Sequence, residues 1–167
     1  MAQENSFDVV SKIDIQELNN AIQQALKEVH TRFDLKDSKS NITLEEKDTK
    51  LVLESSGDYQ LKAVTDILQA KMVKRGVSLK AMTYGAVEPA SGGSVRQKVT
   101  LTQGIPGEKA KEMVQIIKNA KLKAQASIQG DVVRVSSKDR DTLQQAISLL
   151  KQQDLGIDLQ FTNYRTN

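Results

Sequence analysis

The stretch Lys118-Asn-Ala-Lys-Leu-Lys-Ala-Gln-Ala-Ser-Ile-Gln-Gly-Asp-Val-Val-Arg-Val-Ser-Ser137 reads as two short strands joined by a tight turn. Ala124, Ala126 and Ile128 alternate with Lys123, Gln125, Ser127 and Gln129, the period of a strand with one buried and one wet face. Gly130-Asp131 is a two-residue connection, because Gly supplies the positive φ that a primed hairpin turn needs at its first central position. Beyond the turn, Val133 and Val135 point one way while Val132, Arg134 and Ser136 point the other. The hairpin has an apolar back and a cationic, amide-rich front.

Working outward, the same alternation recurs with helices between the strands. Ser6 to Ser11 is a strand with Phe7 and Val9 on one face, and Asp14 with Glu17 three positions on marks a helix start. Leu18, Ala21, Ile22, Ala25, Leu26 and Val29 then define one buried stripe, ending near Phe33. Strands over 41–46 and 50–55 follow, joined by the turn Lys47-Asp48-Thr49, and then a helix from Asp58 to Lys74-Arg75 that stops at Gly76. Val77 to Thr83 closes this first unit as a fourth strand.

Glu88-Pro-Ala-Ser-Gly-Gly93 has the composition of a linker, and after it the pattern restarts. A strand over 95–102 leads to a helix from about Pro106, then the hairpin, a helix from Ser137 and a last strand over 157–163. Phe7 and Val9 align with Val99 and Leu101, while Leu51, Leu53, Leu61 and Leu68 align with Val133, Val135, Leu143 and Leu150. The expectation is an α+β protein made of two tandem βαββαβ domains, residues 1–90 and 91–167. Each has an antiparallel sheet covered by two helices on one face.

The 167 residues contain no cysteine, which excludes disulfides and thiolate chemistry. No run of about 18 apolar residues marks a membrane span, and the start Met-Ala-Gln-Glu-Asn-Ser lacks the order of a signal peptide, so a cytoplasmic protein is expected. Residues 1–90 carry 12 Lys/Arg against 14 Asp/Glu, and residues 91–167 carry 12 against 7, placing the positive charge in the second half. The lone His30 and the absence of cysteine leave no metal-ligand spacing; no nucleophile elbow, phosphate-loop lysine or dinucleotide fingerprint is present. No enzyme, cofactor or metal is expected.

Strand parity lists the open face of the second domain. Arg96, Lys98, Gln125, Arg134 and Tyr164 lie on it, with Lys123 at the hairpin start and Lys121 beside it. These seven residues are the candidate contacts for RNA or a nucleotide, through phosphates and base edges. A solvated sheet face accounts for the same pattern equally well. Aromatics are missing from both inner strands, so base stacking contributes little and backbone-led binding fits better. Lys118 also suits a helix C-terminus, and Gly104-Ile-Pro-Gly107 reads as a strand-to-helix turn rather than a phosphate cradle because Glu108 follows it.

Several motifs together resemble the YajQ family of bacterial nucleotide-binding proteins. They are Ser6-Phe-Asp-Val-Val-Ser11, Arg32-Phe-Asp-Leu-Lys36, Ala70-Lys-Met-Val-Lys-Arg-Gly76, Gln103-Gly-Ile105, the run from Lys118 to Val135, Asp154-Leu-Gly156 and Phe161-Thr-Asn-Tyr-Arg165. The resemblance covers the whole chain and implies two ferredoxin-like domains whose N-terminal strands, 5–10 and 95–102, are exchanged. Arg96 and Lys98 would then belong to the first domain's face. It also implies binding of nucleotides or RNA, including tRNA. Two other classes stay open: an effector of cyclic di-GMP, a cyclic dinucleotide, and a protein-interaction module that buries the sheet. Neither the ligand nor the oligomeric state follows from the sequence.

Overall fold

The computed structural model describes residues 4–45, 47 and 49–166; Glu46 and Asp48, expected at a strand end and in a turn, lie outside the described residues. Eight strands and four α-helices follow in order. They are β1 (Asn5–Val10), α1 (Ile15–Thr31), β2 (Asn41–Glu45), β3 (Lys50–Ser55), α2 (Asp58–Lys74), β4 (Met82–Pro89), β5 (Val95–Leu101), α3 (Gly107–Asn119), β6 (Gln125–Gln129), β7 (Val132–Ser137), α4 (Arg140–Gln152) and β8 (Gln160–Arg165). Local chemistry fixes the ends. The Asp14 carboxylate accepts the Glu17 N–H at 3.2 Å before α1, and the Asp139 carboxylate accepts the Asp141 N–H at 3.0 Å before α4.

Two four-stranded antiparallel sheets result, ordered β2-β3-β5-β4 and β6-β7-β1-β8. This is an α+β fold of two βαββαβ repeats, but the central strand of each sheet comes from the other half of the sequence. β1 lies between β7 and β8, with Phe7 opposite Val135 and Val9 opposite Phe161. β5 lies between β3 and β4, with Val99 opposite Leu51 and Tyr84. The compact units are residues 13–102, called the first unit, and the segment up to Lys12 with residues from Gln103 onward, called the second.

Each unit has its own core. In the first, Leu18, Ile22 and Val29 of α1 and Leu61, Val64 and Leu68 of α2 pack on Leu51, Leu53, Val99 and Leu101. In the second, Met113 and Ile117 of α3 and Leu143, Ile147 and Leu150 of α4 pack on Phe7, Val9, Val133 and Val135. Phe7 is fully buried, edge-on to Phe161 with ring centroids 5.9 Å apart. Phe7/Val9 and Val99/Leu101 present the same apolar pair at the same spacing, so burial of that pair is satisfied in either sheet.

Two sequence expectations change. Residues 88–93 do not separate the units: β4 continues to Pro89, a short turn over 91–93 with φ of +72° and +78° at Gly92 and Gly93 reverses the chain, and β5 pairs back along β4. The fourth strand accordingly spans 82–89 rather than 77–83. The charge asymmetry also dissolves. The first unit holds 13 Lys/Arg against 12 Asp/Glu, net +1, and the second 11 against 9, net +2, so overall charge distinguishes neither unit.

Candidate functional site

The β6–β7 hairpin is held at both ends. Gly130 has φ +64° at the first central position of the turn, and Gln129 pairs with Val132 across it. The tip is tied down where the Ile105 N–H donates to the Asp131 carbonyl at 2.9 Å and the Gly104 N–H to the Ser11 carbonyl at 2.6 Å. With Pro106 lacking an N–H, the Gly104–Gly107 turn has its first amides committed to backbone carbonyls. At the other end, the Ser137 hydroxyl donates to the Lys123 carbonyl at 2.7 Å and accepts the Asp139 N–H at 3.1 Å.

That second tie brings lysines together. The ladder ends where Gln125 pairs with Ser136, and just beyond it Lys123 and Lys138 line one cavity. Lys118 comes from the last turn of α3, and Lys121 follows with φ +56°, a left-handed position that ends the helix. All four lysines are exposed, and among the described residues none of them forms an ion pair. Two adjoining cavities open along β6. One, of 410 Å³, has Val114, Ile117, Leu122 and Ala126 on its wall with Lys118, Gln125 and Ser127. The other, of 360 Å³, is lined by Lys123, Lys138, Gln125, Ser136, Glu4 and Asp139. Asp139 is occupied by the α4 cap, its second oxygen accepting from the Thr142 hydroxyl at 3.1 Å.

Lys123 and Gln125 therefore line one cavity, Lys121 precedes them in the chain without lining either cavity, and the other four sequence candidates lie elsewhere. Arg96 and Lys98 are on β5 in the first unit, where Arg96 lies opposite Glu54 and Glu88 and its Nη2 is 3.9 Å from the Glu88 carboxylate. Arg134 is clasped by Asp8: Nε donates to Oδ1 at 2.8 Å and Nη2 to Oδ2 at 3.4 Å. The Asn163 amide adds a bond to Oδ2 at 2.7 Å. The Arg134 hydrogen bond holds the Asp8 carboxyl below the usual carboxylate range against the opposing effect of burial, with further help from Asn163 and from the charges of Arg134 and Arg165. Asp8 is only 7% exposed, so the pair is an internal clasp of the sheet.

Tyr164 is moved off the open face by a β-bulge. The β1–β8 register shifts between Ser6 and Asp8, Asn163 takes φ +55°, and both Thr162 and Asn163 oppose Asp8. Parity then inverts: Tyr164 lies 6.1 Å from the buried Phe7 ring, and Arg165, opposite Ser6, replaces it on the open face. Sequence reasoning missed Lys138 and Arg165. The first was available from the hairpin register, since pairing across Gly130-Asp131 extrapolates from Lys123 to Lys138; the second depends on the bulge.

The described residues contain no group of three His, Asp, Glu or Cys placed to hold a metal ion, and no helix among them is long and apolar enough to cross a membrane. What the arrangement defines is a two-unit α+β protein with lysine-rimmed cavities along an edge strand. A family described as "Nucleotide-binding protein YajQ-like" matches residues 5–165, and the chain belongs to that family. A Koribacter versatilis protein named as a nucleotide-binding protein is 69% identical over 164 residues, covering 98% of this chain and 99% of that protein. One from Solibacter usitatus, with the same name, is 62% identical over 98% and 99% of the two chains, and one from Desulfitobacterium hafniense is 55% identical over 99% and 100%.

Proposed function

We propose that this chain is a non-enzymatic, cytoplasmic nucleotide-binding protein that holds RNA or a free nucleotide along β6, phosphates at Lys121, Lys123 and Lys138 and a base against Val114, Ile117 and Leu122. The observation that carries this reading is that Lys123 and Lys138 line one cavity, with no ion-pair partner for either among the described residues. Two like charges lining one cavity repel each other, and a phosphate between them relieves that repulsion. The adjoining apolar wall suits a base, and Gln125, common to both cavities, can both donate to and accept from a base edge. The names of the relatives support the ligand class; the choice of RNA comes from the chemistry of the groove.

The test is fluorescence polarisation with labelled GTP and a labelled oligouridylate, repeated across salt concentrations. Three lysines on phosphates give a slope of log affinity against log salt of about −2, at about −0.7 per contact on a single strand. Lys123→Glu with Lys138→Glu should flatten that slope by half or more and weaken binding at least tenfold, while Arg134→Met, which opens the Asp8 clasp, leaves affinity within about twofold. Unchanged affinity in the double variant removes the site. Tight calorimetric binding of cyclic di-GMP without oligonucleotide binding replaces RNA with a cyclic dinucleotide.

A further inference from the structure

Phe33 is 87% exposed and Tyr59 70%, the two most exposed large hydrophobic side chains among the described residues, and both belong to the first unit. Slack in the chain does not explain Phe33. The turn after α1 is closed by the Leu35 and Lys36 N–H groups donating to the Arg32 carbonyl at 3.0 and 2.8 Å, and by the Ser38 N–H donating to the Leu35 carbonyl at 3.0 Å. Leu35 is buried in the core, and a buried chain of hydroxyls runs from Ser38 through Ser40 to Ser55. A pinned turn thus buries Leu35 and points Phe33 outward.

The surroundings of the rings are polar and partly cationic. Lys36 stands over Phe33, Nζ 5.3 Å from the ring centroid, which fixes one ring face and leaves the other to solvent. Arg32 is held by Asp34 through two hydrogen bonds of 2.7 and 2.9 Å, and it lines a 250 Å³ surface cavity with Tyr59, Lys62 and Asp66. Arg32 thereby uses up the Asp34 charge, while Lys36 and Lys62 have no ion-pair partner among the described residues. A protein interface of useful size has a contiguous apolar core. Two separate rings among free cations instead match the single-stranded nucleic acid pattern, in which bases stack on aromatics and cations meet the backbone.

We infer that Phe33, and Tyr59 in the cavity lined by the neighbouring Arg32, each stack an unpaired base of a single-stranded nucleic acid, with Lys36 and Lys62 meeting its phosphates. The inference rests on the reading of the chain as a nucleic-acid binder, but it assigns a site in the first unit that the lysines along β6 do not supply. Sequence-tolerant stacking is expected, since every base has a π-face.

The chain contains no tryptophan, so Phe33→Trp introduces a single indole, excited selectively at wavelengths where the three tyrosines do not absorb. Titrating this variant with an oligouridylate and an oligoadenylate 12-mer should quench its emission saturably, and Phe33→Ala should weaken binding of the labelled 12-mer about tenfold while leaving binding of labelled GTP unchanged. Because the ring is exposed, neither substitution disturbs the core. If the labelled 12-mer binds by polarisation but the tryptophan is not quenched and Phe33→Ala binds normally, the stacking site is overturned and the β6 site stands. If no 12-mer binds at all, the RNA reading and the stacking site fall together.

Discussion

Replacing Gly104 by alanine tests whether the turn between β5 and α3 sets the position of the hairpin. Gly104 has φ +85°, where an L side chain costs about 1–2 kcal/mol. An added Cβ would also stand 2.5 Å from Asp131 Oδ2, 2.7 Å from its Cβ and 2.9 Å from its Cγ. The Asp131 Cβ cannot swing away as a side-chain tip can, so the clash requires a shift of the tip and adds about 1–3 kcal/mol, as overpacking does. Gly104→Ala should therefore lower stability by about 2–5 kcal/mol, obtained from guanidinium unfolding followed by circular dichroism. The control separates the two causes. In an Asp131→Gly background the steric partner is gone, and Gly104→Ala should cost only the backbone share of about 1–2 kcal/mol. A full cost that persists in that background, or a cost below about 0.5 kcal/mol in the wild-type background, refutes the contact.

Two further outcomes follow from the same geometry. Asp8→Asn should destabilise the protein by about 1–2 kcal/mol at pH 7, because Asp8 is a nearly buried acceptor for two charge-assisted bonds and an amide bond. Since the folded carboxyl titrates below its unfolded value of about 3.9, the stabilisation is present above that pH and is lost as pH falls through the depressed value; the gap between variant and wild type should close below about pH 4, and a constant gap from pH 7 to pH 3 would contradict the assignment. Lys121→Gly should raise the unfolding free energy by up to about 1 kcal/mol, as it relieves a left-handed non-glycine residue, yet weaken oligonucleotide binding severalfold. Equal or lower stability with unchanged binding would deny both roles.

Much of the candidate site was legible because it is local. Pairing outward from Gly130-Asp131 places Lys123, Gln125 and Arg134 on one side of a two-stranded ladder, and strand periodicity needs no knowledge of the third strand. The Asp14 cap, the apolar stripes of α1 and α4 and the duplication are local in the same sense. Parity failed at Tyr164 because a bulge is one residue wide: Asn163 adopts a left-handed conformation that asparagine tolerates, and every residue after it changes face. Arg134 carried no sign in the sequence of being spent, as its partner Asp8 is 126 residues away.

Apart from the bounds of β4 and the facing of β8 after its bulge, the sequence alone determined the order of strands and helices, the apolar side of most of them, and that the pattern occurs twice. These follow from side-chain spacing within a few residues. Only the tertiary structure decided which strand completes which sheet, because Phe7/Val9 and Val99/Leu101 satisfy the same burial requirement and differ only in the partners they meet. That choice exchanged Arg96 and Lys98 for Asp8 on the second sheet and set Asp8 opposite Arg134, which engages its carboxylate, while the lysines beside β6 form no ion pair among the described residues.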